Sequence, residues 1–348
     1  MRILWVSGRV LKKDLCQTTQ IALADGLIAA GHDVTLASPG QTSPNNKFKH
    51  IALKRIELRG FQSRSVAKSV KKINLIYDLI MIDWRITTYL INWLKKSNIP
   101  WYLVDRGPPA DSGVLARLQW NGWKRSWKMA KQGMAVSSLH AEFIKQKTGS
   151  FANIDILPAG AHIDKFNGTK TKTKKTRFIY VGKVDSNRNV GNLPDLVLDV
   201  GGSLKIIGNG DLFTKMKKRW HMHDDIEIVD QIANKDVIPY LINSDIGLLP
   251  MPDNKVWRLA SPLKLAEYAA AGLLVAGIEH AGNNVAFDSE WLFLEPTMKD
   301  AIKSAMKNIE FKKFRESAKR DAVKYLNWNS SISVLENTLS HLVNEKNL

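Results

Sequence analysis

The chain has one cysteine, Cys16, among 348 residues. A single thiol cannot close an internal disulfide, so a reducing compartment is expected. No Cys–His arrangement suggests a nucleophile, and the plain reading of Cys16 is a small buried hydrophobe. Histidine and cysteine show no metal-ligand spacing, so no metal is expected. No apolar run reaches the roughly 18 residues of a membrane span. The best candidate, residues 73–94, is interrupted by Asp78, Asp83 and Arg85. The first apolar residues lead straight into Ser7-Gly8 and then Lys12-Lys13, so no secretory leader is expected. The expected location is the cytoplasm. No internal repeat at roughly 20–50 residues is visible, which excludes a solenoid. Acidic residues are scarce: 33 Asp and Glu face 51 Lys and Arg, a formal net charge of +18. Such an excess calls for an anionic partner, whether nucleic acid, an anionic membrane surface or phosphorylated substrates. No nucleic-acid-binding module is recognisable, so charge alone would support that partner and none is expected.

What is present is enough apolar sequence, 44% of residues, for two ordinary domains. Residues 3–7 read as a strand ending at Gly8. A polar loop, a helical pattern over 20–30 and a second strand over 34–38 complete a βαβ unit. G-x-G-x-x-G is missing there, since Gly8 stands alone, and a dinucleotide dehydrogenase is poorly supported. Trp101-Tyr102-Leu103-Val104 reads as a strand ending in Asp105-Arg106-Gly107-Pro108-Pro109. A charged pair at the C-terminal end of such a strand sits where α/β sheets bind ligands. An ion pair bracing the loop is the alternative. Trp120, Trp123 and Trp127 recur at helical spacing, which fits a core face better than a membrane belt. His140 reads as a residue at a helix N-terminus, and His221 and His223 as surface residues.

The most informative stretch is Ser261-Pro262-Leu263-Lys264-Leu265-Ala266-Glu267-Tyr268-Ala269-Ala270-Ala271-Gly272. It reads as a short helix with Ser261 as N-cap, Pro262 in the first turn and Gly272 closing it. Lys264 lies beside the free N–H groups of the first turn, which favour an anion. Glu267 shares its face three residues on. A phosphate at one end and sugar hydroxyls at the other would suit this pair. A plain amphipathic helix with one surface ion pair fits the same spacing.

The pattern S-P-x-K-x-x-E-Y-x-A-x-G, followed by an apolar strand, resembles the donor-nucleotide motif of the retaining family 4 glycosyltransferases. It resembles the subset that begins at S-P and lacks the first glutamate of E-x7-E; Leu259 stands at that position. The resemblance implies an α/β chain of GT-B fold, with two Rossmann-like doubly wound parallel-sheet domains facing across a cleft. Ile156 to Phe166 resembles the segment that closes the first domain, and residues 168–176 have linker composition. The expected domains are 1–166, with a C-terminal helix of about 330–348 crossing back, and 177–329.

By resemblance, the donor is held by Gly8, Gly182, Lys183, Arg188, Gly208, Ser261, Pro262, Leu263, Lys264 and Glu267. Lys183 and Arg188 would contact its diphosphate, exchanging the family's Arg and Lys. Asp105 or Arg106 stands near the family's histidine, so these two join Lys183 and Arg188 as catalytic candidates. The implied activity is transfer of a hexosyl group, with retention, from a nucleotide diphosphate sugar to a hydroxyl acceptor, without a cofactor. Polysaccharide, glycolipid or glycan assembly is the implied setting. A nucleotide-sugar-binding protein without catalysis is the first alternative, and a basic nucleic-acid-binding protein, suggested by charge alone, is the second.

Residues 47–72 carry nine positive charges (Lys47, Lys49, Lys54, Arg55, Arg59, Arg64, Lys68, Lys71 and Lys72) against Glu57 alone, with apolar residues between them. This suggests peripheral attachment to an anionic inner leaflet, with Phe61 and Val66 inserting and a lipid-linked acceptor nearby. A strand and a helix with solvated faces is the alternative.

Overall fold

A computed structural model describes residues 1–11, 17–41, 46–58, 60–109, 114–171, 173–309 and 312–347; Cys16 and Arg59 lie outside these. The chain divides into two compact units, Met1–Pro158 with Trp328–Leu348, and Ala159–Asn327.

The first unit holds a seven-stranded sheet of β1 (Arg2–Val6), β2 (Asp33–Ser38), β3 (Lys49–Ala52), β4 (Leu79–Asp83), β5 (Trp101–Val104), β6 (Gln132–Ala135) and β7 (Asn153–Ile156). Its order is β3-β2-β1-β4-β5-β6-β7, and every pairing is parallel. The central strands are buried on both faces, which explains why Ile3 to Val6 and Leu79 to Ile82 read as unbroken apolar runs. The order reverses between β1 and β4. There the Ser7 hydroxyl donates to Asp83 at 2.6 Å, tying the two strand ends together.

The second unit holds a six-stranded parallel sheet of β8 (Arg177–Val181), β9 (Ser203–Ile207), β10 (Ile226–Val229), β11 (Ile246–Leu249), β12 (Leu274–Ile278) and β13 (Leu292–Glu295). Its order is β10-β9-β8-β11-β12-β13, so the reversal falls between β8 and β11. Both sheets are doubly wound, and such sheets bind ligands beyond the carboxyl ends of the strands at the reversal.

The units meet in sequence at 158/159, ahead of the polar stretch 168–176 where composition places the boundary. Residues 159–166 are bound into the second unit. Ala161 pairs with Asn327, and its N–H reaches Leu326 O at 2.8 Å. Phe166 is buried in the core with Ile179 and Leu241. The C-terminal helix Trp328–Asn347 belongs to the first unit. Ile332 packs on Gly26, where a Cβ would stand 2.3 Å from its side chain, and Ser331 donates to Pro158 O at 3.0 Å. Among the described residues, no helix is long and apolar enough to cross a membrane.

Candidate functional site

The second unit assembles most of the sequence candidates at its sheet reversal. Strand β8 ends at Val181 and runs into Gly182, Lys183 and, through a short 3-10 turn, Arg188. Strand β9 ends at Ile207 and runs into Gly208. The two loops touch: a Cβ on Gly208 would stand 1.7 Å from the Gly182 carbonyl oxygen. Gly208 also has a φ of +153°, so no other residue fits this crossing. Asp211 then accepts from the Ser186 N–H at 2.8 Å and from its hydroxyl at 2.7 Å, fixing the turn that carries Arg188. Lys183 is exposed at the end of β8, while its carbonyl accepts from the Tyr180 hydroxyl at 2.7 Å. Burial pushes Tyr180 up to about 12, against the opposing charge of Arg188. The guanidinium of Arg188 lies 4.5 Å from the ring centroid of Trp257, in a cation–π contact.

The motif helix spans Leu263–Ala270. Gly272 follows with a φ of +72°, as a closing glycine should. The start differs from the sequence reading. Pro262 is the cap residue, with no side-chain cap bond, and Ser261 lies outside the helix. The Ser261 hydroxyl oxygen instead accepts the Ala159 N–H at 3.0 Å, so it is engaged by a distant segment. Lys264 and Glu267 pair directly, and Glu267 is 5% exposed. This is the ion pair the spacing allows, but Glu267 is buried, which a plain surface pair does not require. Tyr268 is fully buried against Gly247, where a Cβ would stand 2.3 Å from the ring. Its hydroxyl accepts the Val181 N–H at 3.2 Å, so the motif helix holds the residue just before Gly182. Burial raises the Tyr268 hydroxyl far above its ordinary range, leaving it protonated. Leu259, where the resemblance has its first glutamate, is buried and supplies no carboxylate.

Trp257 and Tyr268 are the residues the sequence reading missed. Trp257 lies 69 positions from Arg188, in a short helix Lys255–Arg258 capped by Asn254. Its carbonyl oxygen is in turn wedged against Gly282, where a Cβ would stand 1.8 Å away. Nothing local in the sequence reveals either contact. Tyr268 had a signal, its place beside Glu267 in the motif, but its partner is the backbone of another strand.

The first-unit candidates are placed differently. Gly8 follows Ser7 at the reversal of the first sheet, and a Cβ there would press on Ile86 at 3.2 Å. Arg106 is half-buried in the loop after β5. Asp105 is turned inward and has no exposed surface. Its Oδ2 accepts the indole N–H of Trp123 at 2.6 Å and of Trp127 at 2.7 Å, and its Oδ1 accepts the Gly107 N–H at 3.0 Å. His140 Nε2 stands 3.6 Å from the same carboxylate. Burial lowers the His140 pKa, opposed by Asp105, which favours the neutral imidazole. The Asp105 carboxylate is thus turned into the core, where it satisfies two buried indole donors and the Gly107 N–H. Trp123 and Trp127 are core residues, as their spacing indicates.

In the basic segment, helix Gln62–Val70 buries Val66, Ala67 and Val70 under its inner face. Val66 is thus part of the core and cannot insert into a membrane. Arg64, Lys68, Lys71 and Lys72 are exposed, and so are Ile56, Leu58 and Phe61. Among the described residues, no group of three or more His, Cys, Asp or Glu side chains could hold a metal ion.

No family model and no curated protein matches this chain. Solved structures do. Sucrose-phosphate synthase from Thermosynechococcus elongatus is similar at 15% identity with a TM-score of 0.78, covering 99% of both chains. A glycosyltransferase from Rickettsia africae is similar at 15% identity and TM-score 0.74, over 98% of both chains. Anabaena Alr3699/HepE, solved in complex with UDP, is similar at 12% identity and TM-score 0.73, over 98% of this chain and 100% of its own. With its two doubly wound parallel sheets, the chain has the GT-B fold.

Proposed function

We propose that this chain is a retaining glycosyltransferase that moves a hexosyl group from a nucleoside diphosphate sugar to a hydroxyl acceptor, without a metal or cofactor. One observation carries the reading. The Gly182–Arg188 loop is pinned to the Gly208 turn and, through Tyr268, to the motif helix, so two cations stand on a braced loop at the ligand-binding end of the sheet. Lys183 and Arg188 neutralise the leaving diphosphate, and the first turn of the motif helix with Lys264 offers a further anion-binding end. Leaving-group stabilisation by fixed cations lowers the barrier where negative charge develops. The similarity to a structure solved with UDP fits a nucleoside diphosphate in this role. The test is incubation with a panel of nucleotide sugars and simple hydroxyl acceptors, with and without chelator. The reading expects release of nucleoside diphosphate and a product that keeps the anomeric configuration. Binding without release would leave a sugar-nucleotide-binding protein instead. An inverted product would refute retention.

Glu267 takes the ribose hydroxyls, for which its pairing with Lys264 pre-orients a buried carboxylate. Glu267→Gln is expected to fold and to lose about 1 kcal/mol of the preference for ribo- over deoxyribonucleoside diphosphate. Equal preference in both proteins would remove Glu267 from the site.

The acceptor is lipid-linked, and the basic segment attaches the first unit peripherally to an anionic leaflet. Each Lys or Arg near such a surface contributes on the order of 1 kcal/mol. Exposed Ile56, Leu58 and Phe61 are the groups available for shallow insertion. Co-sedimentation with vesicles should require anionic lipid and weaken with salt. Reversing Arg64, Lys68, Lys71 and Lys72 to Glu should abolish it while nucleotide binding persists. Equal binding to neutral and anionic vesicles would contradict the attachment.

A further inference from the structure

The second unit has a strongly basic cavity at the end of its sheet away from the donor loops. It measures about 450 Å³ and is lined by Lys170, Lys174, Lys175, Arg177, Lys312 and Arg315, among others. Arg177 opens β8 and Asp245 immediately precedes β11, so the cavity sits at the N-terminal edge of the strands. Gly182 and Lys183 follow the opposite end of β8, roughly 16 Å along the strand at about 3.3 Å per residue.

The floor is held in place by one carboxylate shared among three cations. Asp245 accepts from Lys170, from the Arg177 N–H at 2.8 Å and from Arg315 at 2.7 Å, and Arg177 Nε lies 3.6 Å away. The guanidinium of Arg177 is also fixed to Thr171, through Oγ1 at 2.9 Å and the carbonyl at 2.6 Å. Lys170 donates to Ser244 O at 2.6 Å. Around the rim, Lys175 pairs with Asp225 at 2.7 Å and Lys312 with Glu316 at 3.5 Å. Among the described residues, six basic side chains thus meet three carboxylates. Lys174 is exposed and makes no ion pair among the described residues.

Such an excess of like charge on a partly buried floor is unfavourable unless an anion joins it. Lys170 registers this: burial lowers it to about 8, Asp245 opposes, and Arg315 and Arg177 push it down further. The cations come from two separate segments, residues 170–177 and the helix Lys312–Tyr325. On the floor both segments already converge on the one Asp245 carboxylate, while Lys174 and Lys312 line the rim farther out, one from each segment. A chain of linked phosphates, with charges spaced along it, can bridge both.

We propose that this cavity is a second anion site of the unit, separate from the donor loops, and that it takes a small ligand bearing an oligophosphate chain. The floor cations Lys170, Arg177 and Arg315 fix its position. Lys174 and Lys312 close over it from the two sides. The proposal stands whether or not the donor loops bind a nucleotide.

The test is titration calorimetry of the full chain with tripolyphosphate. Lys174→Glu/Lys312→Glu changes two exposed side chains and leaves Asp245 and its partners in place. It should weaken binding at least about tenfold, as expected for reversing two contacting charges. Lys174→Arg/Lys312→Arg should bind as the wild type does. Reversing Lys95 and Lys96, exposed in the first unit, makes the same net-charge change and should leave binding unaltered. Lys183→Glu, which changes an exposed side chain of the donor loops, should keep a tripolyphosphate site. Loss of all binding in that last variant would place the ligand at the donor loops and overturn the proposal. Equal affinity of wild type and Lys174→Glu/Lys312→Glu would overturn it as well, as would no binding to the wild type. Orthophosphate binding as tightly as tripolyphosphate would refute the oligophosphate class.

Discussion

Lys183→Ala and Lys264→Ala should each weaken binding of the nucleoside diphosphate on the order of 10- to 100-fold and lower turnover at least as much. A charge-assisted bond to a phosphate is worth about 1.5–3 kcal/mol. The two substitutions reach that loss by different routes. Lys183 is exposed at the end of β8 and is replaced without disturbing a neighbour. Its loss removes a cation from the leaving diphosphate only, so the empty protein should unfold at the wild-type temperature. Lys264 is different, because it also neutralises Glu267, which is 5% exposed. Removing it leaves a buried carboxylate unpaired, and the protein should lose stability as well as affinity. Lys264→Arg keeps the charge and should recover stability more fully than affinity, since a guanidinium differs in shape from an ammonium. Binding titrations alongside thermal unfolding separate the two effects. Wild-type affinity and turnover in both alanine variants would show that the donor does not sit here.

Asp105→Asn should destabilise the first unit by about 3–5 kcal/mol, the range for removing one partner of a buried charged network. An asparagine has one acceptor oxygen. If it faces the indoles of Trp123 and Trp127, its amide N–H groups meet the Gly107 N–H; if it faces Gly107, they meet two indole donors. At roughly 2–4 °C per kcal/mol for a unit of this size, the unfolding transition of that unit should fall by about 10 °C. Nucleoside diphosphate binding should be unchanged, because the proposed donor loops belong to the second unit. Were Asp105 a catalytic carboxylate, the variant would instead unfold like the wild type and lose turnover. Differential scanning calorimetry with a binding titration decides between these.

The contrast between Asp105 and Lys264 shows what a sequence can carry. Strand ends followed by glycine, as at Gly8, Gly182 and Gly208, are local patterns, and each falls at the C-terminal end of a parallel strand. The short motif helix and its closing Gly272 are local too. What escaped were contacts whose partners lie far along the chain. Ser261 reads as an N-cap until its oxygen is seen to accept from Ala159, 102 positions away. Asp105 reads as a ligand-facing acid until the indoles 18 and 22 residues on are seen to fill it. Val66 lies between basic residues in sequence, but helical periodicity turns it inward while Arg64 and Lys68 face out. The contact division at 158/159 falls ahead of the polar stretch for a related reason. Polar composition marks residues 168–176, yet apolar Phe166 already packs into the second core.

Titration of the wild-type chain with nucleoside mono- and diphosphates, in the presence of chelator, tests the central claim most directly. The account assigns the diphosphate to Lys183, Arg188 and the first turn of the motif helix. It predicts that one nucleoside diphosphate binds at least about tenfold more tightly than its monophosphate, because the second phosphate adds charge-assisted bonds. It also predicts that Lys183→Ala erases most of that difference. Equal affinity for mono- and diphosphate, or a difference that survives Lys183→Ala undiminished, would contradict it.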